Sequence, residues 1–287
     1  MTDNTPWFTE VFGNEGTSFG LAIKRKLHDE HSAFQHIEIY ETTTFGNLMV
    51  LDGCVMLTER DNFLYHEMMS HPALFCHTAP EHVAIIGGGD CGTLKEVLKH
   101  PGVKHAWQVD IDEQVTRMSE KYFPTLCESN HDIRATLMFD DGIQWIKDRA
   151  ENSLDIIIVD STDPVGPAEG LFATDFYKDC CRALKPNGIL VQQTESPLLH
   201  TNSIIKKAHN DMQQSGFLHT KTLTFPQPVY PTGWWSCTIA SQQTDLDTFR
   251  ESDVKAKKFE TLYYNNGIHK GCLEMPEFMR KALLSNE

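Results

Sequence analysis

Acidic residues stand at the ends of short apolar runs through the middle of the chain. Asp90 follows VAIIGGG, Asp110 closes AWQVD, Asp141 follows ATLMFD, Asp160 closes DIIIVD and Glu195 follows GILVQQT. One acid after a strand is routine, because Asp caps the helix that comes next. Acids at five successive strand ends exceed what capping needs. Ligands of such sheets bind outside the carboxyl ends of the strands, so these side chains would meet a ligand, and their charge suits a cation.

Val83–Gly92 reads VAIIGGGDCG, a buried strand, a glycine-rich turn and the start of a helix. Glycines such as Gly87 and Gly89 let the backbone approach a ligand closely, and the helix N-terminus adds partial positive charge. Asp110 lies 20 residues beyond Asp90, where an acid accepts hydrogen bonds from both ribose hydroxyls. Dinucleotides and adenosyl-sulfonium cofactors both fit this pattern. Asp90 favours the second, because it would repel a pyrophosphate or a methionine carboxylate and would hold a tail ending in an ammonium group. Asp141-Gly142 suits either a bond to the adenine amino group or an ordinary helix cap, and spacing alone leaves both open. Asp160–Pro167 reads DSTDPVGP, with Asp160 and Asp163 three residues apart on a loop stiffened by Pro164 and Pro167. A turn wants one Asp and has no need of two. Tyr65, Glu195 and Tyr230 are candidates to complete the pocket, although sequence does not bring them together.

The elements that must position these groups fall into two parts. Gln35–Tyr40 alternates loosely, and Gly46–Leu51 runs into Asp52-Gly53, a two-residue hairpin signal with Cys54–Leu57 as the return strand. This predicts a small antiparallel β domain over residues 1–65. Thr58-Glu59-Arg60-Asp61 reads as a helix start. From Val83 onward, apolar runs alternate with helical stretches at Thr93–Lys99, Glu113–Tyr122, Ile143–Arg149 and Phe172–Leu184. That alternation predicts an α/β domain over residues 66–287, a parallel Rossmann-like sheet of the methyltransferase type with helices on both faces.

Composition narrows the function. Lys and Arg number 25 against 40 Asp and Glu, a net charge of −15, which argues against nucleic acid as the partner and fits cationic ligands. The N-terminus lacks the basic start and apolar stretch of a signal peptide, and no apolar run approaches a membrane span. The 8 cysteines are scattered without a CxxC pair, so reduced thiols in the cytoplasm are expected, not a disulfide framework. His66 and His71 resemble a zinc-protease pair, but they stand five apart, whereas ligands on one helix face stand four apart. No metal site is expected.

Taken together, the sequence resembles the spermidine synthase family of aminopropyltransferases over nearly its whole length. Gln35, YETTTFGNLMVLDG, TERDNFLYHEMMSH, IIGGGDCGTLKEVLKHP, DSTDPVGPAEGLF, the TES of QQTESP, VYPTG and YYNNGIH occur in the family's order. The resemblance implies decarboxylated S-adenosylmethionine as co-substrate, with contacts from Gln35, Gly87, Gly89, Asp90, Asp110, Asp141, Gly142 and Pro167. It makes Asp160 the proton acceptor. Tyr65, His66, Asp160, Asp163, Glu195 and Tyr230 then surround a diamine, with putrescine the expected acceptor and spermidine and methylthioadenosine the products. No metal or prosthetic group is implied. A homodimer or homotetramer assembled through the N-terminal β region is.

Physics supports this pattern. The co-substrate carries a sulfonium and an ammonium, and a diamine brings further positive charge, so carboxylates must neutralise the cluster. Three positions depart from the family's usual pattern: Cys91 stands where glycine is common, Asp110 is shorter than the usual glutamate, and Met56 replaces a residue that is often glutamine. Rival readings are a diamine N-methyltransferase, an aminopropyltransferase for cadaverine, spermidine or agmatine, a noncatalytic polyamine sensor, and an oxidoreductase on the same sheet.

Overall fold

The computed structural model describes residues 5–162 and 166–284. Strands β1 (Trp7–Phe12), β2 (Thr17–His31), β3 (His36–Thr42), β4 (Asn47–Leu51) and β5 (Cys54–Thr58) form an antiparallel meander in sequence order. The β4–β5 turn is the expected two-residue hairpin: Asp52 and Gly53 both take positive φ, 50° and 86°, as a type I′ turn requires. One face of this sheet, with Ile37, Ile39, Met49, Leu51 and Leu57, packs on Val115, Phe123 and Leu126. The opposite face buries Leu21, Tyr40, Leu48, Val50 and Val55 against Val229. Strands β1 and β2 fall within the β domain expected over residues 1–65 but are not delimited individually, since KRKLHDEH in β2 carries little apolar alternation to mark it.

The second sheet has the order β11-β12-β10-β9-β6-β7-β8. Its parallel strands are β6 (His82–Gly87), β7 (His105–Asp110), β8 (Ala135–Phe139), β9 (Leu154–Asp160) and β10 (Leu184–Gln193). The runs expected to be parallel pair that way, and at one edge the sheet adds an antiparallel pair. Here β12 (Trp234–Ser241) runs antiparallel to both β10 and β11 (His219–Pro226). Only the short Pro226–Trp234 connection, without a crossover helix, joins these two strands, and such a link favours antiparallel pairing.

Alternate residues of the central strands enter two cores, as the strand period of two dictates. Val83, Ile85, Ile156 and Ile158 face α1 (Asn62–Cys76), α2 (Gly92–Leu98), α8 (Glu251–Ala256) and α9 (Asn266–Cys272). Ala84, Ile86, Ile157 and Val159 face α4 (Gly142–Lys147), α5 (Thr174–Ala183) and α7 (Lys206–Gln214). Helix α3 (Glu113–Tyr122) sits between the two sheets, since its Val115 belongs to the core under β3 and β4. Short α6 (Pro197–His200) and terminal α10 (Glu277–Leu284) complete the fold. Among the described residues, no helix is long and apolar enough to cross a membrane.

Helix α1 is buried from Leu64 to Cys76 on every side, so its polar residues must all be satisfied internally. Glu67 meets this demand by accepting the backbone N–H groups of Leu262, Tyr263 and Tyr264 at 2.7, 2.9 and 2.7 Å. The YYNNGIH segment is thereby tied to the helix that carries Tyr65 and His66. Charge-assisted bonds of this kind contribute ~1.5–3 kcal/mol each. Glu67→Gln places an amide N–H2 against backbone donors. It is expected to destabilise the fold by about 2–4 kcal/mol, read as a lower midpoint in urea unfolding.

Candidate active site

A cavity of about 430 Å³ opens between the two sheets, a size ordinary for small-molecule sites. Gln35, Met49, Leu51, Met56 and Leu57 form its wall on the N-terminal sheet, Tyr65 and His66 its wall on α1, and Gly87–Asp90, Asp110, Asp141, Gly142 and Asp160 its floor. Most of the expected site residues therefore converge on one space.

Asp160 ends the fully buried strand β9. Its Oδ1 accepts the Tyr65 hydroxyl at 2.7 Å and its Oδ2 accepts the Thr93 hydroxyl at 2.6 Å. The glycine turn closes over it. Gly87 has φ 82°, and a Cβ there would fall 2.2 Å from the Asp160 carbonyl oxygen. A Cβ at Gly89 would fall 2.9 Å from Asp110 Oδ2. Only glycine allows the turn to lie flat on both acids. Burial pushes the Asp160 carboxyl above its ordinary pKa and the negative charge of Asp90 pushes it the same way, while His66 and the Thr93 and Tyr65 bonds oppose the shift. Burial, and then Asp160 itself, hold the Tyr65 phenol well above its usual range, so Tyr65 stays a donor.

His66 is buried, 3% exposed, with Nε2 at 3.2 Å from Asp90 Oδ1; Asp90 Oδ1 also accepts the Gly92 N–H at 2.6 Å. Asp110 accepts the Asp112 N–H at 2.8 Å. Burial raises its carboxyl to about 6, against the pull of that bond. Asp141 accepts the N–H groups of Ile143 and Gln144, both through Oδ1, and lines the cavity as well. The helix cap and the cavity wall are thus one residue. Gln35 donates from Nε2 to Asp112 at 2.9 Å, which ties the β2–β3 loop to the N-cap of α3 beside the cavity.

A smaller cavity of about 40 Å³ adjoins the first and is lined by Glu10, Phe12, Val55, Gln193, Pro231 and Trp235. The two share Cys54, Met56, Tyr65, Ser161, Thr162 and Tyr230. The Tyr65 and Tyr230 rings meet edge to face at 6.0 Å, and the Tyr230 hydroxyl donates to the Met56 carbonyl. Glu195 is the exception among the expected residues. It is buried with φ 69°, receives a 3.4 Å bond from Gln193 Nε2, and among the described residues lines neither cavity. Asp163 lies outside the described residues, as does the side chain of Pro167.

Several contributors carry weak sequence signals. Thr93 sits in the first turn of a helix, where a hydroxyl is unremarkable, and Glu10 lies on the undelimited strand β1. Asp112 could have been found, as the N-cap immediately before the predicted helix at Glu113. Cys91 takes φ 70° with its side chain fully buried, the left-handed conformation in which glycine is at ease. His66 and His71 serve separate environments. The ring of His71 is held by His100 at 3.0 Å and Glu96 at 3.1 Å, away from the cavity.

Comparison with known proteins agrees with this architecture. The Spermine/spermidine synthase domain matches residues 62–250, and the Spermidine synthase tetramerisation domain matches residues 6–59. Polyamine aminopropyltransferases of Thioalkalivibrio sulfidiphilus and Alkalilimnicola ehrlichii are 62% and 58% identical over 98% and 100% of both chains. A solved spermidine synthase in complex with the transition-state analogue AdoDATO superposes with TM-score 0.93 at 34% identity, covering 99% of this chain and 96% of its own. Spermidine synthase from Thermotoga maritima superposes with TM-score 0.92 at 33% identity over the same shares. The chain belongs to the spermine/spermidine synthase family. It is an enzyme, an aminopropyltransferase.

The raised pKa of Asp110 has a cost that can be measured in the empty protein. Its unfolded value is near 3.8 and its folded value about 6, so the folded state binds the proton more tightly. The penalty is absent below pH ~4, grows as pH rises to 6 and is full above it. Asp110→Asn removes the ionisable group. It is expected to stabilise the empty enzyme by up to about 3 kcal/mol at pH 8 and by little at pH 4, measured as thermal midpoints, while weakening adenosyl-ligand binding.

Proposed function

We propose that the enzyme transfers the aminopropyl group of decarboxylated S-adenosylmethionine to putrescine, giving spermidine and methylthioadenosine. The observation that carries this reading is the placement of Asp160. Its carboxylate, oriented by Tyr65 and Thr93, shares one cavity with Asp90, Asp110 and Asp141. Asp110 and Gln35 suit the ribose side of the adenosyl group, Asp141-Gly142 the adenine, and Asp90 the ammonium tail.

In the reaction the amine nitrogen attacks the carbon bonded to the sulfonium. A C–N bond forms, the C–S bond breaks, and its electron pair stays on sulfur. The leaving group is a neutral thioether and needs no acid. The nucleophile must be neutral, however, and an alkyl ammonium of pKa ~10.4 costs roughly 4–5 kcal/mol to deprotonate at pH 7. Asp160 orients the amine and takes the surplus proton as the C–N bond forms. Its elevated pKa makes it a better base than an exposed carboxylate would be.

The acceptor follows from the space beyond Tyr65 and Tyr230. The adjoining cavity, about 40 Å³ with Glu10 on its wall, has room for the far ammonium of a short diamine and little for a further aminopropyl arm. Met56, on both walls, supplies apolar contact to the methylenes between the two nitrogens. Asp163 completes the diamine site, the N-terminal sheet is the surface of homo-oligomer assembly, and the cytoplasm, where this co-substrate would be met, is the place of action.

An acceptor panel of putrescine, cadaverine, spermidine and agmatine with product identification tests the reading. Putrescine is expected to give the highest kcat/KM, rising through the alkaline range. Methyl transfer from S-adenosylmethionine in place of aminopropyl transfer would overturn it. Asp160→Asn is expected to lower kcat by on the order of 10²–10⁴ while leaving methylthioadenosine affinity within a few-fold, and near-normal turnover would remove Asp160 from its role.

A further inference from the structure

The contact between His66 and Asp90 poses a question that catalysis alone does not answer. Asp90 is the acid set to receive a ligand's ammonium group, yet in the empty enzyme its Oδ1 already has an imidazole nitrogen at 3.2 Å. Acidic groups face this ring from each side: Asp90 from the β6–α2 turn, Asp160 from β9 and Glu96 from α2, with Asp61 at the N-cap of α1 on its own element. Tyr65 packs edge-on at 5.6 Å and remains neutral. Burial alone would lower the imidazole pKa, but Asp90, with Asp160 and Glu96 behind it, raises it overall.

The ring has no room to withdraw. A Cβ at Gly92 would lie 2.2 Å from His66 Cε1 and 2.3 Å from Nδ1, so the backbone of the α2 N-terminus stands directly against it. When a second cation arrives at Asp90, repulsion cannot be relieved by moving the imidazolium. It can be relieved by loss of a proton. We propose that His66 is the cation that neutralises Asp90 in the empty enzyme, and that it releases one proton to solvent when the ammonium end of the co-substrate binds. The Nδ1 proton leaves, and Nε2, 3.2 Å from Asp90 Oδ1, keeps its proton. His66 is then a positioning residue: it holds the acidic floor together without substrate and yields its charge to the substrate. This rests on the reading above that Asp90 receives the ammonium group.

Calorimetry in buffers of different ionisation enthalpy measures the released protons. Decarboxylated S-adenosylmethionine is compared with methylthioadenosine, which has the same adenosyl part and no ammonium. Subtracting the second from the first removes any proton exchanged at Asp110, which both ligands meet through ribose. Near pH 6 the charged ligand is expected to release about one proton more per site, with an excess that vanishes at alkaline pH. Across that range its Kd should fall by up to ~10-fold per pH unit relative to methylthioadenosine. His66→Gln should abolish the excess and flatten the pH dependence while still binding methylthioadenosine; His66→Asn serves if the glutamine variant does not bind it. Asp160→Asn should keep the excess but move it to lower pH, since one of the acids that raise the imidazole pKa is gone. An excess that survives at His66→Gln, disappears at every pH in Asp160→Asn, or is absent from the unaltered enzyme although the charged ligand binds, overturns this inference alone. Failure of the charged ligand to bind at all overturns the proposed function with it.

Discussion

Repulsion among carboxylates is the constraint around which this fold is arranged. Asp90, Asp110 and Asp160 stand at the ends of neighbouring strands and border one cavity, where water cannot fully screen them. Burial displaces the Asp110 and Asp160 pKa values upward, and the neighbouring carboxylates add to the shift, so the pair records the cost of desolvation first and of crowding second. A protein under selection for stability alone would have no reason to keep these acids together. Their neighbours hold the arrangement intact: a phenol, a threonine hydroxyl, an imidazole and backbone N–H groups each supply a donor. Each donor offsets part of the cost and leaves the remainder for a cationic ligand to relieve. Ligand affinity and reduced stability of the empty state are therefore two aspects of one charge distribution.

Two sheets are needed because one supplies charge and the other shape. The strand ends of the second sheet bring the acids, while β4 and β5 bring Met49, Leu51, Met56 and Leu57 as an apolar wall opposite them. The apolar wall lowers the local dielectric and strengthens every charge interaction across the cavity. The link between the sheets is itself polar. Ser32 and Gln35 both donate to Asp112 Oδ2, at 2.6 and 2.9 Å, so the cap of α3 fixes the position of the β2–β3 loop. A residue that starts a helix in one domain thereby sets the width of the cavity from the other.

The parts legible in the sequence were those where a local pattern has a single physical reading. Asp52-Gly53 named its hairpin, the apolar runs named β6 to β10, and Glu113–Tyr122 was located to the residue. The acids at strand ends were legible for the same reason, since a parallel sheet places all such ends on one side. What escaped was set by tertiary contact. The β11–β12 pair lacks a crossover helix to announce it, β1 is six residues long, and the second half of β2 is too polar for periodicity to show. Glu195 had the right residue type at the right strand end. Its left-handed backbone and the bond from Gln193 keep it off both walls, and no spacing rule encodes that. Thr93 was missed for the opposite reason: an ordinary helical threonine becomes significant only because Asp160 lies 2.6 Å away.

Helix α1 shows how little freedom these contacts leave. Tyr65, His66 and Glu67 are consecutive, so their side chains leave the helix roughly 100° apart. They meet three different partners: Asp160 on β9, Asp90 on the glycine turn, and the backbone of residues 262–264. A rotation of the helix by one position would break all three at once and leave each partner buried without its bond. The helix cannot adjust to improve one contact at the expense of another. This accounts for a helix buried on every side that nevertheless carries a tyrosine, two histidines and a glutamate. Ordinary amphipathic packing would fix its position only to within the tolerance of apolar contacts. Directional bonds from Tyr65 and to Glu67, with the ion pair of His66, tie it to three separate elements, which is the kind of precision that aligning a proton acceptor with an incoming amine demands.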